Sequence, residues 1–205
     1  MTISDDEGLK TLSESEVRHR LANLFQLLST LTRMRIQRAA DDETRRQLSW
    51  MLEAISALGA LQQRLAEPAG ADFALYLADM LPQWRRRCAG RPVQIELDAA
   101  PVIMREQLAS ALALIVNELV SNAISHAHPD GRPGTVLIAL RRRDAESATL
   151  TVSDDGVGYD ASHEDRSKLG LWLIRGLTDQ VKGVMTTTTT DGVIARLDFA
   201  VTAGG

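Results

Sequence analysis

Five apolar residues near the N-terminus, Val17, Leu21, Leu24, Leu28 and Leu31, follow one another at intervals of 4, 3, 4 and 3. That seam fits a helix and no strand, and it calls for a partner helix to cover it. The predicted helix spans 14–40, with Ser13 or Ser15 as N-cap and Glu14 and Glu16 where the helix dipole favours carboxylates. A polar break at Ala40–Glu43 predicts a turn. A second helix then runs to about Ala66, with Leu48, Met51, Leu52, Ile55, Leu58, Leu61 and Leu65 on a broad face. Two helices alone bury too little apolar surface to stand. The hairpin is expected to form a homodimer, a four-helix bundle; packing on the rest of its own chain is the alternative.

Glu67-Pro68-Ala69-Gly70 stops the helical pattern, because Pro and Gly together break a helix. The expected organisation is a tail over 1–13, a helical hairpin over 14–67, a linker over 68–71 and a second domain over 72–205. Beyond the linker the pattern is mixed. Helices are predicted over Asp72–Arg87, Arg105–Ala127 and Gly170–Lys182. Strands are predicted around Val93–Leu97, Val136–Leu140 and Leu150–Val152, with a closing hairpin of Val184–Thr190 and Val193–Phe199 turning at Asp191-Gly192. The fold class expected is α+β, and no repeat of solenoid length is visible.

Composition narrows the function classes. The 205 residues suit one and a half or two domains, and 44% hydrophobic with 24% charged residues is a globular composition. The net charge of −4 argues against nucleic acid as the main partner. The lone Cys88 excludes a disulfide framework and fits a reducing compartment. The acidic start MTISDDEGLK is no secretory signal, and no direct membrane span is expected, so cytoplasmic placement is the simplest expectation.

Four segments carry chemistry. His19 lies off the apolar seam, and Asn23 follows one helical turn later. A solvated imidazole is a competent nucleophile near neutral pH, and an amide at i+4 can bond the ring or position a water beside it. Alone, such a pair is usually just helix surface. Glu118, Asn122 and His126, at i, i+4 and i+8, share one helix face. A carboxylate and an amide there are hard oxygen ligands suited to Mg²⁺, which usually arrives with substrate phosphates; a plain polar face is the bland account. In Asp154-Asp155-Gly156-Val157-Gly158, strand parity turns Asp154 inward with Leu150 and Val152, where an adenine amino group could partner it. Gly156 and Gly158 let the backbone approach a flat ring. Finally, Lys168 and Gly170 stand at a helix start, where free N–H groups and a cation suit phosphate, though a simple loop-to-helix junction reads the same way.

In this order the segments resemble the catalytic core of two-component sensor histidine kinases of the HRxxN type, related to the HWE group. His19-Arg20-Leu21-Ala22-Asn23 is similar to the phosphoacceptor motif. Asn117-Glu118-Leu119, Asn122-Ala123 and His126-Ala127 resemble the N box of the gyrase- and Hsp90-like ATPases, the GHKL superfamily. Asp154–Gly158 resembles the first glycine box, and Leu169-Gly170-Leu171 the second. The resemblance implies a dimerisation hairpin followed by an α/β sandwich holding ATP with Mg²⁺ beneath a lid over 159–169. It implies that His19 attacks the γ-phosphate and that the phosphoryl group passes to an aspartate of a response regulator receiver domain. Catalytic roles fall to His19, Asn23 and Glu118. Asn122, the Mg²⁺ ligand, joins His126, Asp154, Gly156, Gly158, Lys168 and Gly170 in holding nucleotide.

Some positions depart from the pattern. Ala22 and Ser125 stand where basic residues are frequent, which removes positive charge near the phosphate path, and Arg20 replaces the acidic neighbour of the commonest kinases. With thirteen residues before the hairpin, input is expected from a separate sensor protein. The alternatives are a phosphotransfer protein or regulator phosphatase of the same fold, and a non-catalytic scaffold that sequesters a regulator. Arg85–Arg87 and Arg141–Arg143 are read as solvated helix and strand ends.

Overall fold

The computed structural model describes residues 14–65, 72–158 and 168–201. Helix α1, Glu14–Gln37, and helix α2, Asp42–Leu65, form the hairpin. The carboxylate of Asp41 opens α2 by accepting the Thr44 N–H at 2.7 Å, so α1 ends three residues earlier than the polar break alone suggests. The 4-3-4-3 seam does not face α2. The covered stripe of α1 is Ala22, Phe25, Ser29, Thr32 and Ile36, which are half-buried or buried, while Val17, Leu24, Leu28 and Leu31 remain exposed. The expected linker at 68–71 and the tail at 1–13 lie outside the described residues, as does most of the expected lid.

Helix α3, Phe73–Arg87, begins under Asp72, whose carboxylate accepts the N–H groups of Ala74 and Val102, each at 3.0 Å. Strand β1, Val93–Ala99, runs parallel to β2, Gly134–Arg142, and helix α4, Glu106–His126, makes the crossover. A parallel pair requires such a long connection. Strands β3, Ser147–Asp154, β4, Val184–Thr188, and β5, Val193–Ala200, complete an antiparallel run, giving the order β1-β2-β3-β5-β4. Helix α5, Lys168–Gln180, starts two residues before Gly170, and β4 stops at Thr188 rather than Thr190.

The sheet's inner face follows strict alternation: Val136, Ile138 and Leu140 on β2 are buried beside Leu150 and Val152 on β3 and Ala195, Leu197 and Phe199 on β5. Helix α4 is apolar nearly all round and fills the space between sheet and α2. It is long and apolar enough to cross a membrane, which the sequence reading missed, but most of its apolar window is buried in this core. On the far side, Ala57 and Leu61 of α2 join Phe73, Tyr76 and Trp84 of α3 in the same cluster.

Candidate functional site

The polar face of α4 comes together as the spacing requires. Glu118 is buried, and its carboxylate is hydrogen-bonded to Asn122 one turn on. Burial pushes its carboxyl above the usual range, opposed by hydrogen bonds from Trp50 and Asn122. The Trp50 indole N–H of α2 donates to Oε2 at 2.7 Å. On the other side lies Gly170, where a Cβ would sit 1.9 Å from Oε1. Gly170 therefore serves as clearance for the Glu118 carboxylate, rather than only as a free helix start for phosphate.

Asp154 ends the inner row of β3, between Val136 on β2 and Val193 on β5. Its inward parity is confirmed, but the donors differ from the expectation. Oδ1 accepts the backbone N–H groups of Gly156 at 3.0 Å and Val193 at 3.2 Å. Oδ2 has no hydrogen bond among the described residues, so one oxygen stays open to a ligand. Burial raises the Asp154 carboxyl, and the two N–H groups pull it back.

The glycine loop closes on the end of α4. Val157 N–H donates to the Ala127 carbonyl at 2.9 Å, and a Cβ on Gly156 would lie 2.3 Å from that same oxygen. Only glycine permits this approach. Gly158 has a positive φ of 78° and lies against the turn between β4 and β5, where a Cβ would sit 3.1 Å from the Thr189 carbonyl. His126 is exposed on the last turn of α4, and Lys168 is the first residue of α5. Glu118, Asn122, Asp154, Gly156 and Gly170 thus converge on the α4–α5 end of the domain. His19 and Asn23 do not join them. They lie exposed near the start of α1, with Asn23 Nδ2 3.3 Å from His19 Nδ1.

Four participants escaped the sequence reading: Trp50, Glu53, Arg87 and Ser121. Arg87, read as a solvated helix end, pairs with Glu53 of α2 at 3.0 Å and donates to Ser121 of α4 at 2.9 Å. Ser121 in turn donates to Glu53 at 3.2 Å. The available signal was spacing within each helix: Trp50 and Glu53 on α2, like Glu118 and Ser121 on α4, stand at i, i+3 and so share a face. A cleft of about 460 Å³ opens beside these contacts, lined by Arg45, Arg46, Arg87, Ser121 and Ser125. The other run stays at the surface: Arg141 pairs with the exposed Asp98, and Arg143 with the half-buried Asp198.

The donor set fits a nucleotide with Mg²⁺. Oδ2 of Asp154 offers an acceptor to an amino group, and Glu118 with Asn122 offers oxygen ligands. Among the described residues no group of three His, Cys, Asp or Glu could hold a metal ion.

Residues 87–197 match the histidine kinase-like ATPase domain model, and residues 16–87 match a histidine kinase model covering the hairpin. The chain is 29% identical over 168 residues to the sensor histidine kinase PdtaS of Mycobacterium tuberculosis, covering 79% of this chain and 33% of that protein. It is 26% identical over 196 residues to blue-light-activated histidine kinase 2 of Erythrobacter litoralis, covering 90% of this chain and 56% of that protein. The chain thus spans between a third and just over half the length of these curated relatives. The solved histidine kinase domain of the Erythrobacter litoralis EL346 blue-light-activated kinase superposes with a TM-score of 0.70 at 20% identity, covering 90% of this chain and 94% of that one. At that identity the superposition establishes the fold: a helical hairpin followed by a mixed-sheet ATPase domain.

Proposed function

The chain belongs to the histidine kinase family, and from that premise we propose that it is an ATP-dependent protein-histidine kinase. It phosphorylates itself on His19 and passes the phosphoryl group to an aspartate of a response regulator receiver domain. The observation that carries this reading is the open Oδ2 of Asp154, held at the end of a buried sheet row beside a loop that only glycine can form.

In this reading Asp154 accepts from the adenine amino group, and Gly156 and Gly158 let the loop lie against the ring. Asn122 would hold Mg²⁺, which neutralises phosphate charge when bound. Glu118 stands beside the reacting phosphate, and His126, Lys168 and the start of α5 favour the phosphate chain. His19 presents Nε2 outward because Nδ1 is turned to Asn23. Turning the Asn23 amide over sets its oxygen against Nδ1–H, the tautomer that leaves the Nε2 lone pair free. Nε2 then bonds to the γ-phosphorus as the bond to the leaving ADP oxygen breaks. The same amide is placed to orient water when the phosphorylated regulator is hydrolysed.

The exposed seam supports a homodimer. Val17, Leu24, Leu27, Leu28, Leu31 and Met34 form an uncovered stripe on α1, and a second copy would close it into a four-helix bundle. The hairpin over 14–67 and the catalytic domain over 72–205, joined at 68–71 after a tail of 1–13, act as separate working units. Cytoplasmic placement, where ATP and receiver domains meet, and input from a separate sensor protein complete the reading.

Incubation with labelled ATP and Mg²⁺ tests it. The label is expected to be acid-labile and base-stable, and to vanish in His19→Ala while ATP binding persists. Label retained in His19→Ala would move the acceptor elsewhere. A chain that binds no ATP at all would instead fit a phosphotransfer protein, phosphatase or scaffold.

A further inference from the structure

Just past the end of α4, the side chain of His128 is only 3% exposed. It lies against Gly134 at the start of β2, where a Cβ would collide with the ring. Its Nε2 is 3.1 Å from Oδ1 of Asp155. The contact is an ion pair rather than an aligned hydrogen bond, since neither ring nitrogen has a hydrogen-bond partner among the described residues. A buried imidazole without such partners is uncommon, and the group facing it here is a carboxylate. The attraction therefore depends on the ring's proton.

Asp155 is the residue on which the glycine loop hangs. Its Oδ1 also accepts the Thr135 N–H at 2.8 Å, and its carbonyl accepts from the Arg132 guanidinium at 3.3 Å. Loop and ring are joined a second time, because Val157 N–H donates to the carbonyl of Ala127, the residue before His128. Asp154 precedes Asp155 and feels the ring as well. Burial raises its carboxyl most, the N–H groups of Gly156 and Val193 lower it, and a charged His128 lowers it further while Asp155 raises it. The ring's charge thus tethers one aspartate and keeps the other ionised. The remaining charges around His128 are Arg91 and Arg132, which line a cavity of about 260 Å³ with it, and Asp130, 4.0 Å from Arg132. The arginines keep their charge throughout the histidine range.

We propose that His128 is a positioning residue for nucleotide binding: through Asp155 it fixes the loop that sets Oδ2 of Asp154 against adenine. It touches no nucleotide itself. The inference rests on the kinase reading, which gives Asp154 to the adenine amino group. Its consequence has a sign. The tether is present while His128 is protonated, so its contribution to ATP affinity is lost as pH rises through the histidine range.

The test titrates ATP with Mg²⁺ calorimetrically into the full chain, Asp155→Asn and His128→Leu, with thermal melting of each protein. Asp155→Asn keeps an oxygen for the Thr135 N–H and loses only the charge. The ratio of variant Kd to wild-type Kd is read at each pH, so that the ionisation of ATP itself cancels. The expected ratio is about fivefold at pH 6, below the ~6.5 of a free imidazole, and within about twofold at pH 8. A loop support indifferent to the ring's charge gives the same ratio at both pH values. That result, or a ratio near one at pH 6, overturns the proposal. Should His128→Leu melt too low to be titrated, Asp155→Asn decides alone. A wild type that binds no ATP at either pH defeats the kinase reading of Asp154, and this role with it.

Discussion

Asp154→Asn separates a nucleotide contact from a structural one, because the structure assigns the two carboxylate oxygens different work. Oδ1 is held by the N–H groups of Gly156 and Val193. An asparagine keeps an acceptor oxygen in that place, so the loop should hold its shape. Its amino group then falls where Oδ2 stood, and a donor there faces the donor of adenine. Losing one charge-assisted hydrogen bond costs about 1.5–3 kcal/mol, which is roughly a 10- to 150-fold rise in Kd. Removing a half-buried charge also relieves the desolvation that raises this carboxyl, so the unliganded protein should melt no lower than wild type. Isothermal titration with ATP and Mg²⁺, alongside thermal melting of the unliganded protein, reads both effects. An unchanged Kd would show that Oδ2 meets no ligand. A large fall in Tm would show that the carboxylate is chiefly a strut for the loop, and either result refutes the reasoning.

Gly170→Ala should destabilise by about 1–3 kcal/mol, the usual cost of overpacking, since the new methyl would meet a Glu118 carboxylate already held by Trp50. The gain in helix propensity is only about 1 kcal/mol, so a rise in Tm would contradict the packing. Glu118→Gln should abolish autophosphorylation yet stabilise the fold at neutral pH. A carboxyl whose folded pKa lies above its unfolded value keeps its proton longer in the folded state. Ionising it therefore costs stability as pH rises from the unfolded pKa through the raised folded one. The stability difference between variant and wild type should shrink as the pH is lowered below the ordinary glutamate range, and denaturant titrations at two pH values check this. Asn23→Ala should slow dephosphorylation of the regulator more than tenfold. It should slow autophosphorylation only a few-fold, because an exposed hydrogen bond at 3.3 Å is worth about 1 kcal/mol or less; equal losses on the same variant would refute the water-orienting role.

Much of the site was legible because its residues carry local periodicity. Glu118 and Asn122 are one turn apart, so any α-helix brings them together, and Asp154 shares parity with Leu150 and Val152 on any strand. Asp154's actual partners were not legible, since Val193 comes from β5, 39 residues away, and its N–H is supplied by sheet register. The apolar seam misled in a similar way. Its spacing correctly demanded a helix, but α2 packs instead on the stripe of Ala22, Phe25, Ser29, Thr32 and Ile36. Small and polar residues let two helices approach closely, as the contact of Phe25 with Gly59 illustrates. Hydropathy counts could not rank that stripe above the leucines. Arg87 escaped for a further reason: three adjacent arginines look alike in sequence, and only the third meets Glu53.

The character of the α2–α4 contact changes along its length, and this decides how the domains could separate. Toward the C-terminal end of α2, Ala57 and Leu61 are buried in the core with Phe73, Tyr76 and Trp84. Exposing a leucine alone costs about 1.5–3 kcal/mol, so that end resists opening. Toward the turn, the contact is made by Trp50, Glu53, Arg87 and Ser121, polar groups whose hydrogen bonds water can replace once they part. Opening is therefore cheapest as a pivot about Ala57 and Leu61, with the turn-proximal end swinging free. The end that swings carries Glu118, Asn122 and Ser125, so the polar face of α4 lies where the contact with α2 is polar. Hydrogen exchange gives this asymmetry a direct readout. In Trp50→Phe, protection should fall around residues 48–54 while persisting around 57–62. Equal loss along the whole of α2 would mean that the helices part as a unit, and the pivot would be refuted.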